Sequence, residues 1–395
     1  MQIIYINRGA SPSRYASYLK KYNNKLQQQG QKYNQLLMEG LVENGAQVTS
    51  LSTRPINRFM TSQKFFKGEK ERECGIDYDY IPFFNMKLLR ELSVLCGVFF
   101  KLLFSRKKRK DTVVICDGLN IAASMGAIAA CALRRFKTVG IVTDVPCHLS
   151  YSQKVSFHQK LNLAIMRRFK SYLLLTEQMS EVVNPQNRPY IVLEGHADLA
   201  MQNVENTLEG KGDKKVCLYA GSLMRIYGIE NLVNGFVKAD LPDAELHIYG
   251  NGDYTKDLEA LAARYPAVKY MGVAPNSEIV AAEIKATLLV NPRPIGEDYT
   301  KYSFPSKNME YMASGTPVLT TKLPGMPADH HEHVYLIEDE SADGIARVLT
   351  ELLSGDPVAL FEKGRQAKEF ILKEKNNIKQ ASKLLGMLNA EMNVK

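Results

Sequence analysis

The 395-residue sequence lacks the signatures of a metal- or disulfide-stabilised fold and of a membrane-spanning helix. Its cysteines show no C-x-x-C spacing, which predicts reduced thiols in a cytoplasmic protein. The apolar run from Leu92 to Phe104 is too short to span a bilayer, which takes about 20 residues. Residues 1–13 show no charged-then-apolar leader, so no signal peptide is expected. The cysteines are Cys74, Cys96, Cys116, Cys131, Cys147 and Cys217.

Composition instead favours a globular protein of more than one domain. Apolar residues make up 45% of the chain, enough for a full core. Basic charge is concentrated in the first half, because residues 1–197 hold 29 Lys and Arg against 14 Asp and Glu, whereas the rest of the chain is net acidic. The two halves are therefore expected to face different partners.

The apolar run from Leu92 to Phe104 is followed at once by a basic segment, Ser105 to Lys110. A helix of this kind beside a basic cluster suits the anionic face of a membrane. A buried core helix that ends in a solvated basic turn explains the same residues equally well. Nucleic acid is disfavoured, because the cluster has no interleaved stacking aromatics.

Strands and helices alternate along the chain, and the strands are continuous apolar runs. This pattern is typical of parallel sheets covered on both faces. A long polar helix is predicted after the first strand, up to about Asn44, and another helix over about 154–169. This alternation of strands and helices starts again at about residue 215. The sequence therefore predicts an α/β protein of two doubly wound Rossmann-like domains, residues 1–195 and 196–395, that face each other across a cleft. The last helix, about 375–395, is expected to pack back on the first domain. Ligands of such sheets bind at the carboxyl ends of the strands.

The segment from Lys301 to Thr321 carries the clearest local signal. Pro305 predicts a helix start near 304–306, and Gly315 and Pro317 predict its end before a strand. Lys307 falls in the first turn, where a cation opposes the helix dipole. A bound phosphate would resolve that conflict; a solvated surface lysine is the alternative.

Small and basic residues follow the ends of three strands of the second domain. Gly221-Ser222 is followed by Arg225, Gly250-Asn251-Gly252 ends the next strand, and Asn291-Pro292-Arg293 ends a third. Small residues allow a ligand to approach backbone N–H groups, and Arg and Lys neutralise phosphate.

Five segments from the second half, in this order, resemble the family-4 retaining glycosyltransferases of the GT-B fold. They are YAGSLMRIYGIENLV, LHIYGNGD, YMGVAPNSEI, LLVNPRP and KYSFPSKNMEYMASGTPVL. The resemblance covers about 180 residues. It implies that the second domain holds a nucleotide-sugar and the first domain the acceptor, without a metal ion.

The resemblance also implies roles for individual residues. Arg225 and Lys307 would hold the diphosphate, Glu310 the ribose hydroxyls and the Val273 region the base, and Asp144 of the first domain is a fourth catalytic candidate. The other expected nucleotide-sugar-binding residues are Gly9, Gly221, Ser222, Gly250, Arg293, Ser303, Phe304, Pro305 and Ser306. A UDP-sugar is the expected donor.

The chain departs from the family pattern at three places. Tyr302 stands where a first glutamate is common, eight residues before Glu310, and Glu297 or Asp298 is a candidate replacement. Tyr227-Gly228 stands in place of a Lys-Gly pair, which would leave Arg225 as the phosphate-binding cation there. Thr143-Asp144 replaces a common His-Asp pair.

Two acidic clusters suggest metal sites but are disfavoured. Asp77-Tyr78-Asp79 matches the acidic pair of metal-dependent glycosyltransferases, but it lies before an apolar run and not after one. Residues 329–333, Asp-His-His-Glu-His, are expected to form a solvated loop.

The sequence therefore predicts a metal-independent transferase that moves a sugar onto a glycan or lipid-linked acceptor in cell-surface polysaccharide synthesis. We expect it in the cytoplasm, peripheral to the inner face of the cell membrane. A nucleotide-sugar epimerase and a non-catalytic GT-B partner subunit remain alternatives. The sequence names neither the sugar nor the linkage.

Overall fold

A computed structural model describes residues 1–22, 26, 28–146 and 155–393. The chain divides into two compact units: a first unit of Met1–His196 with Asn377–Lys395, and a second unit of Ala197–Asn376. The first segment ends at His196, one residue after the boundary predicted at residue 195. The five described cysteines are free thiols, whereas Cys147, residue 154 of a predicted helix and residues 394–395 of the predicted last helix lie outside the described residues.

The strands of the first unit form an eight-stranded sheet and a separate antiparallel pair, β3 with β6. In chain order they are β1 (Gln2–Asn7), β2 (Gln47–Ser52), β3 (Phe65–Phe66), β4 (Glu69–Glu73), β5 (Ile76–Tyr80), β6 (Phe83–Phe84), β7 (Thr112–Asp117), β8 (Lys137–Val142), β9 (Ser171–Leu174) and β10 (Tyr190–Val192). The large sheet has the order β10-β9-β8-β7-β1-β2-β5-β4, and only β4 is antiparallel. The order in which the strands are added reverses between β1 and β7.

The strands of the second unit form one six-stranded parallel sheet. They are β11 (Lys215–Ala220), β12 (Ala244–Tyr249), β13 (Val268–Gly272), β14 (Leu288–Asn291), β15 (Val318–Thr321) and β16 (Tyr335–Ile337). The order β13-β12-β11-β14-β15-β16 is that of a Rossmann domain, with its reversal between β11 and β14. Both units are thus doubly wound α/β sheets, as the alternation of apolar strands and helices predicts.

The helices cover both sheets. They are α1 (Pro12–Lys21), α2 (Gln28–Glu43), α3 (Leu89–Leu103), α4 (Ile121–Arg134), α5 (Phe157–Met166), α6 (Met179–Val183), α7 (Ile229–Ala239), α8 (Thr255–Arg264), α9 (Asn276–Lys285), α10 (Ser306–Ser314), α11 (Ala328–His331), α12 (Ala342–Ser354), α13 (Pro357–Glu374) and α14 (Asn377–Asn393). Among the described residues, no helix combines the length and hydropathy needed to cross a membrane.

The last helix, α14, belongs to the first unit and packs on α2. Leu384 and Leu388 join Leu37 and Leu41 in the same buried cluster. Gly40 lets the backbones meet, since a Cβ on it would lie 2.2 Å from the carbonyl oxygen of Asn377.

The sequence mispredicts one helix of the first unit and misses one hairpin. One long polar helix was expected up to about Asn44, but α1 ends at Lys21, where Tyr22 leaves the helical conformation, and α2 begins at Gln28. The hairpin of β4 and β5 was not expected. Its strands read EKERE and IDYDY, so a pattern of alternating charge conceals the apolar positions Ile76, Tyr78 and Tyr80, which are fully buried.

Helix α3 is apolar on two faces. Val94, Val98 and Leu102 are buried in the first unit, while Leu92 and Phe100 are exposed. The helix is therefore a core helix on one side and an apolar surface on the other.

Candidate active site

The carboxyl ends of β11 and β14 form the topological switch point of the second unit, where doubly wound sheets bind ligands. Helix α10 follows β14 and begins at Ser306, within the predicted range. Pro305 is the capping residue just before it, and Gly315 ends the helix in the left-handed conformation with φ 82°. The local sequence signals therefore predict α10 correctly at both ends.

Buried polar side chains hold α10 against the strand ends. The Asn291 side-chain amide donates to Asn308 Oδ1 at 2.6 Å, and the Asn308 amide donates to Thr320 Oγ1 at 3.3 Å. The Tyr311 hydroxyl accepts from the Ala220 backbone N–H at 2.8 Å. Burial, and next the nearby Glu283 carboxylate, raise the pKa of Tyr311 well above its usual value, so the hydroxyl stays protonated. The start of α10 is thus fixed at the sheet edge.

Lys307 lies in the first turn of α10 and is paired with carboxylates. Its Nζ is 2.7 Å from Glu310 Oε2 and 4.0 Å from Glu283 Oε1, and its side chain is only 20% exposed. The solvated-lysine interpretation is therefore wrong. The charge that opposes the helix dipole is balanced by acids one turn along α10 and on α9.

Sequence reasoning missed Glu283. The residue lies on α9 and is fully buried. The sequence gives only a weak signal that Glu283 is buried: it follows the half-buried Ile279 by four residues and so shares its helix face. A glutamate in a helix of mixed composition is ordinarily a surface residue.

Arg225 lies in a short 3₁₀ turn after β11 and engages surface acids. Its guanidinium contacts Glu230 Oε2 at 3.1 Å and forms a short ion pair with Asp257. It also lies 5.0 Å from the ring centroid of Tyr254, and its side chain is 45% exposed. These contacts hold the predicted phosphate-binding cation in a surface network.

Arg293, just beyond β14, is held differently. Its guanidinium lies 4.4 Å from the ring centroid of Tyr227 and 5.8 Å from that of Tyr299. Its Nη1 donates to Ser303 Oγ at 3.1 Å. In the part of the chain that the structure describes, the Nε atom is buried without a hydrogen-bond partner. No carboxylate of that part lies within ion-pair distance of the guanidinium. Among the described residues, therefore, no carboxylate pairs with the Arg293 guanidinium at this strand end.

The predicted glycines bring backbones together at the strand ends. Gly250 has φ 135°, and a Cβ on it would lie 1.8 Å from the Gly221 carbonyl oxygen. Gly228 has φ 79°, and a Cβ there would lie 2.2 Å from the Pro292 carbonyl oxygen. These glycines pack the ends of β11, β12 and β14 closely, which is a structural requirement before any ligand is considered.

The remaining predicted residues of the second unit differ in exposure. Ser222 and Ser306 are exposed, and Val273, just beyond β13, is 74% exposed. Phe304 and Pro305 are buried. Ser303 is half-buried and contacts Arg293.

The expectation of a solvated loop at residues 329–333 is wrong. His330 is fully buried in α11. Its ring packs edge-on between the rings of Phe304 and Phe370. The distances between ring centroids are 5.3 Å to Phe304 and 5.5 Å to Phe370. The imidazole serves as an aromatic core group there, which a run of polar letters does not reveal.

Two predicted residues belong to the first unit. Gly9 is buried two residues beyond β1, in a loop held by Gln31, whose side chain pairs with the backbone N–H and carbonyl of Ala10 at 3.0 and 2.7 Å. Asp144 lies half-buried two residues beyond β8. Both follow carboxyl ends of strands of the first sheet.

The departures from the family pattern have clear positions. Tyr302 is half-buried at the end of a 3₁₀ turn, and Glu297 and Asp298 are exposed at its start. Their role as replacement carboxylates stays a prediction, whereas Glu283 is the further carboxylate beside Lys307.

The acidic pair of β5 is engaged with cations. Asp77 lies 3.7 Å from Arg72, and Asp79 lies 2.6 Å from Lys101.

Comparison with known proteins agrees with this geometry. Residues 214–355 match the family model "Glycosyl transferases group 1". Comparison with curated protein sequences found no match. Among solved structures, HepE from Anabaena in complex with UDP has 14% identity and a TM-score of 0.65, over 99% of this chain and 100% of its own. Sucrose-phosphate synthase from Thermosynechococcus elongatus has 15% identity and a TM-score of 0.65, with the same coverage.

A third structure is TarM from S. aureus in complex with fondaparinux, alpha-GlcNAc-glycerol and UDP. It has 18% identity and a TM-score of 0.59, over 78% of this chain and 60% of its own. The structural similarity at these low identities establishes the fold, which is GT-B. The family match lies within the second unit. Assignment to family 4 in particular stays a prediction.

Proposed function

We propose that the protein transfers a sugar from a UDP-sugar to a glycan or lipid-linked saccharide, with retention of anomeric configuration. The observation that carries the proposal is the meeting of Arg293, the start of α10 and Lys307 at one switch point of the second unit. Two cations and a row of helix N–H groups are suited to a diphosphate. UDP bound to HepE is consistent with this choice of donor.

The chemistry follows from the leaving group. Cleavage of the anomeric bond leaves negative charge on the departing phosphate, so fixed cations and N–H dipoles there act more strongly in the transition state than in the ground state. The acceptor hydroxyl attacks on the face that the phosphate leaves, and the phosphate takes the proton. This proposal requires no protein nucleophile and no metal ion.

The other residues take supporting roles in the proposal. Glu310 binds the ribose hydroxyls, the exposed Val273 region contacts the base, and the backbone of Gly221 and Ser222 approaches the phosphates. The first unit, with Asp144, binds the acceptor, and Gly9 stays a predicted nucleotide-sugar-binding residue.

A panel of UDP-, GDP- and ADP-sugars tests the proposal. The parent protein should hydrolyse one of them slowly, with release of the nucleoside diphosphate and the free sugar. An epimerised nucleotide-sugar would support the epimerase alternative, and binding without turnover would support a non-catalytic partner subunit. Lys307→Ala should lower kcat strongly, and it should also lower the melting temperature, because it leaves the buried Glu283 carboxylate without its cation. Lys373→Ala removes an exposed lysine of α13 and should behave like the parent protein.

We also propose a peripheral membrane contact through Leu92 to Lys110, which would place the protein at the inner face of the cell membrane. Leu88, Leu92, Phe100 and Phe104 are between 51% and 78% exposed. Leu92 and Phe100 lie on α3, and Leu88 and Phe104 flank its two ends, so the four form an exposed apolar stripe along the length of the helix.

The basic residues follow this stripe directly. Arg106, Lys108, Arg109 and Lys110 are exposed. Lys107 is not a surface cation as expected, because it is half-buried and its Nζ donates to Thr49 Oγ1 at 3.0 Å. Burial also lowers the pKa of Lys107. The contact surface is therefore an apolar stripe with four exposed cations.

Vesicle sedimentation tests the contact. Binding should rise with the fraction of acidic lipid and fall with salt, since each basic residue contributes on the order of 1 kcal/mol and screening shortens its reach. The triple change of Arg106, Lys108 and Arg109 to Gln should remove most of the binding. A matched triple change of exposed lysines in the second unit should not. The control lysines are Lys256, Lys285 and Lys373. Equal sedimentation of both variants with acidic vesicles would contradict the proposal.

A further inference from the structure

The first unit has a switch point of its own, between β1 and β7. Arg8 follows β1 directly, and Arg54 lies two residues beyond the neighbouring strand β2. A third arginine, Arg90, reaches the same loops from the start of α3. The carboxyl edge of this sheet therefore gathers three guanidinium groups where the topology places ligands.

Hydrogen bonds place Arg8 and Arg90 at the neighbouring loops that follow β1 and β2. The Thr53 N–H donates to the Asn7 carbonyl at 3.0 Å, which extends the pairing of β1 and β2 and sets Arg8 beside Thr53. Arg90 Nη2 donates to the carbonyl of Arg54, the residue that follows Thr53, at 3.3 Å. Arg90 Nη1 donates to the Ile56 carbonyl at 2.6 Å. The Arg90 guanidinium is thus anchored at the loop that adjoins Arg8.

Arg54 pairs with a carboxylate, but none of the described carboxylates lies within ion-pair distance of Arg8 or Arg90. Arg54 lies 3.4 Å from Glu69. Within the described residues, Arg8 makes no ion pair or side-chain hydrogen bond, and Arg90 donates only to uncharged oxygens.

The acids that act on Arg8 from a distance are Glu91 and Asp117. Burial, and next the charge of Arg8, lower the pKa of Arg90 to about 10. Arg8 itself is exposed to solvent, and burial raises the pKa of Asp117. The two arginine charges therefore repel each other, and a bound anion would relieve that repulsion.

We propose that Arg8 and Arg90 form a subsite for a phosphate group of the acceptor. This inference rests on the proposed function, in which the first unit binds the acceptor, and it narrows the acceptor to phosphorylated molecules. Two guanidinium groups suit the several oxygens of a phosphate. The net charge of +15 over residues 1–197 is of the sign that attracts such an acceptor.

Calorimetric titration of the full chain with pyrophosphate, at saturating UDP, tests the subsite. UDP occupies the donor site, so the remaining heat reports the first unit. Arg8→Gln should weaken pyrophosphate binding by at least about tenfold, because it removes charge-assisted hydrogen bonds. It should leave UDP affinity unchanged. Arg168→Gln removes an exposed arginine of the same unit and should retain parent affinity.

Parent-like affinity of Arg8→Gln, or equal losses in both variants, would overturn the subsite. Tighter binding of glucuronate than of phosphate would overturn the phosphate class. Competition with farnesyl diphosphate and with glucose 6-phosphate then distinguishes a lipid diphosphate from a phosphorylated saccharide. Failure of the proposed function appears separately, as absence of UDP binding by the parent protein. In that case pyrophosphate is titrated alone, and a loss on Arg8→Gln with none on Lys307→Ala still supports the subsite.

Discussion

Replacing Arg293 with Gln should damage donor use far more than replacing Arg225 with Gln. Arg293 is held by Ser303 and by two tyrosine rings, and no carboxylate of the described residues lies within ion-pair distance of it. Arg225 already pairs with Glu230 and Asp257. The family pattern points to Arg225, but the geometry points to Arg293.

The expected magnitudes follow from these contacts. A hydrogen bond to a charged group contributes about 1.5 to 3 kcal/mol, so Arg293→Gln should lower kcat/KM for the donor by roughly 10- to 100-fold. Arg225→Gln removes exposed ion pairs, which contribute about 0 to 1 kcal/mol to stability. Its kcat/KM should stay within about threefold of the parent value.

The tyrosine next to Arg293 provides a second, finer test. Tyr227→Phe keeps the ring under the guanidinium and should behave like the parent protein. Tyr227→Ala removes the ring and should weaken UDP binding, because the guanidinium loses a cation–π contact of about 0.5 to 2 kcal/mol. UDP affinity by calorimetry and donor hydrolysis kinetics measure both effects. A larger loss in Arg225→Gln than in Arg293→Gln would refute the reasoning.

Three further outcomes are expected. Gly250→Ala should lower the free energy of unfolding by about 3 kcal/mol in denaturant titration, because its Cβ meets the Gly221 carbonyl, whereas Gly296→Ala has no atom within 4 Å and should be nearly neutral. Burial lowers the pKa of His196 to about 4, so the unfolded chain gains a proton near pH 6.5 and the folded chain only near pH 4. The free energy of unfolding should therefore fall by about 3 kcal/mol as pH drops through that window, and His196→Asn should flatten this slope. Glu310→Gln should weaken UDP binding by roughly 1.5 to 3 kcal/mol, and unaltered UDP affinity would remove Glu310 from the ribose site.

Features set by neighbouring residues could be predicted from the sequence. The start and end of α10 depend on Pro305 and Gly315, whose backbone preferences act within a few residues. The parallel strands appear as apolar runs because both of their faces are covered. Alternating charge conceals the β4–β5 hairpin, since only one side of those strands is buried.

Side-chain direction at the site could not be predicted in the same way. Arg225 and Arg293 each follow the end of a strand in the sequence, and neither position indicates which acids lie nearby. The partners of Arg225 come from α7 and α8, and the rings beside Arg293 come from residues 66 and 6 positions away. Glu283 likewise reaches Lys307 from a different helix. Such contacts depend on tertiary packing, which no local pattern encodes.

The contacts of Lys307 also decide how the two cations divide their roles. Glu310 and Glu283 already compensate the Lys307 charge, so a diphosphate would gain little from it while both acids stay in place. If Glu310 turns to the ribose hydroxyls, as proposed, Lys307 becomes available at the same moment that the nucleotide binds. Arg293 needs no such change, because no carboxylate within the described residues competes for it. We therefore propose that Arg293 is the cation that attracts the donor and that Lys307 acts after the nucleotide has bound.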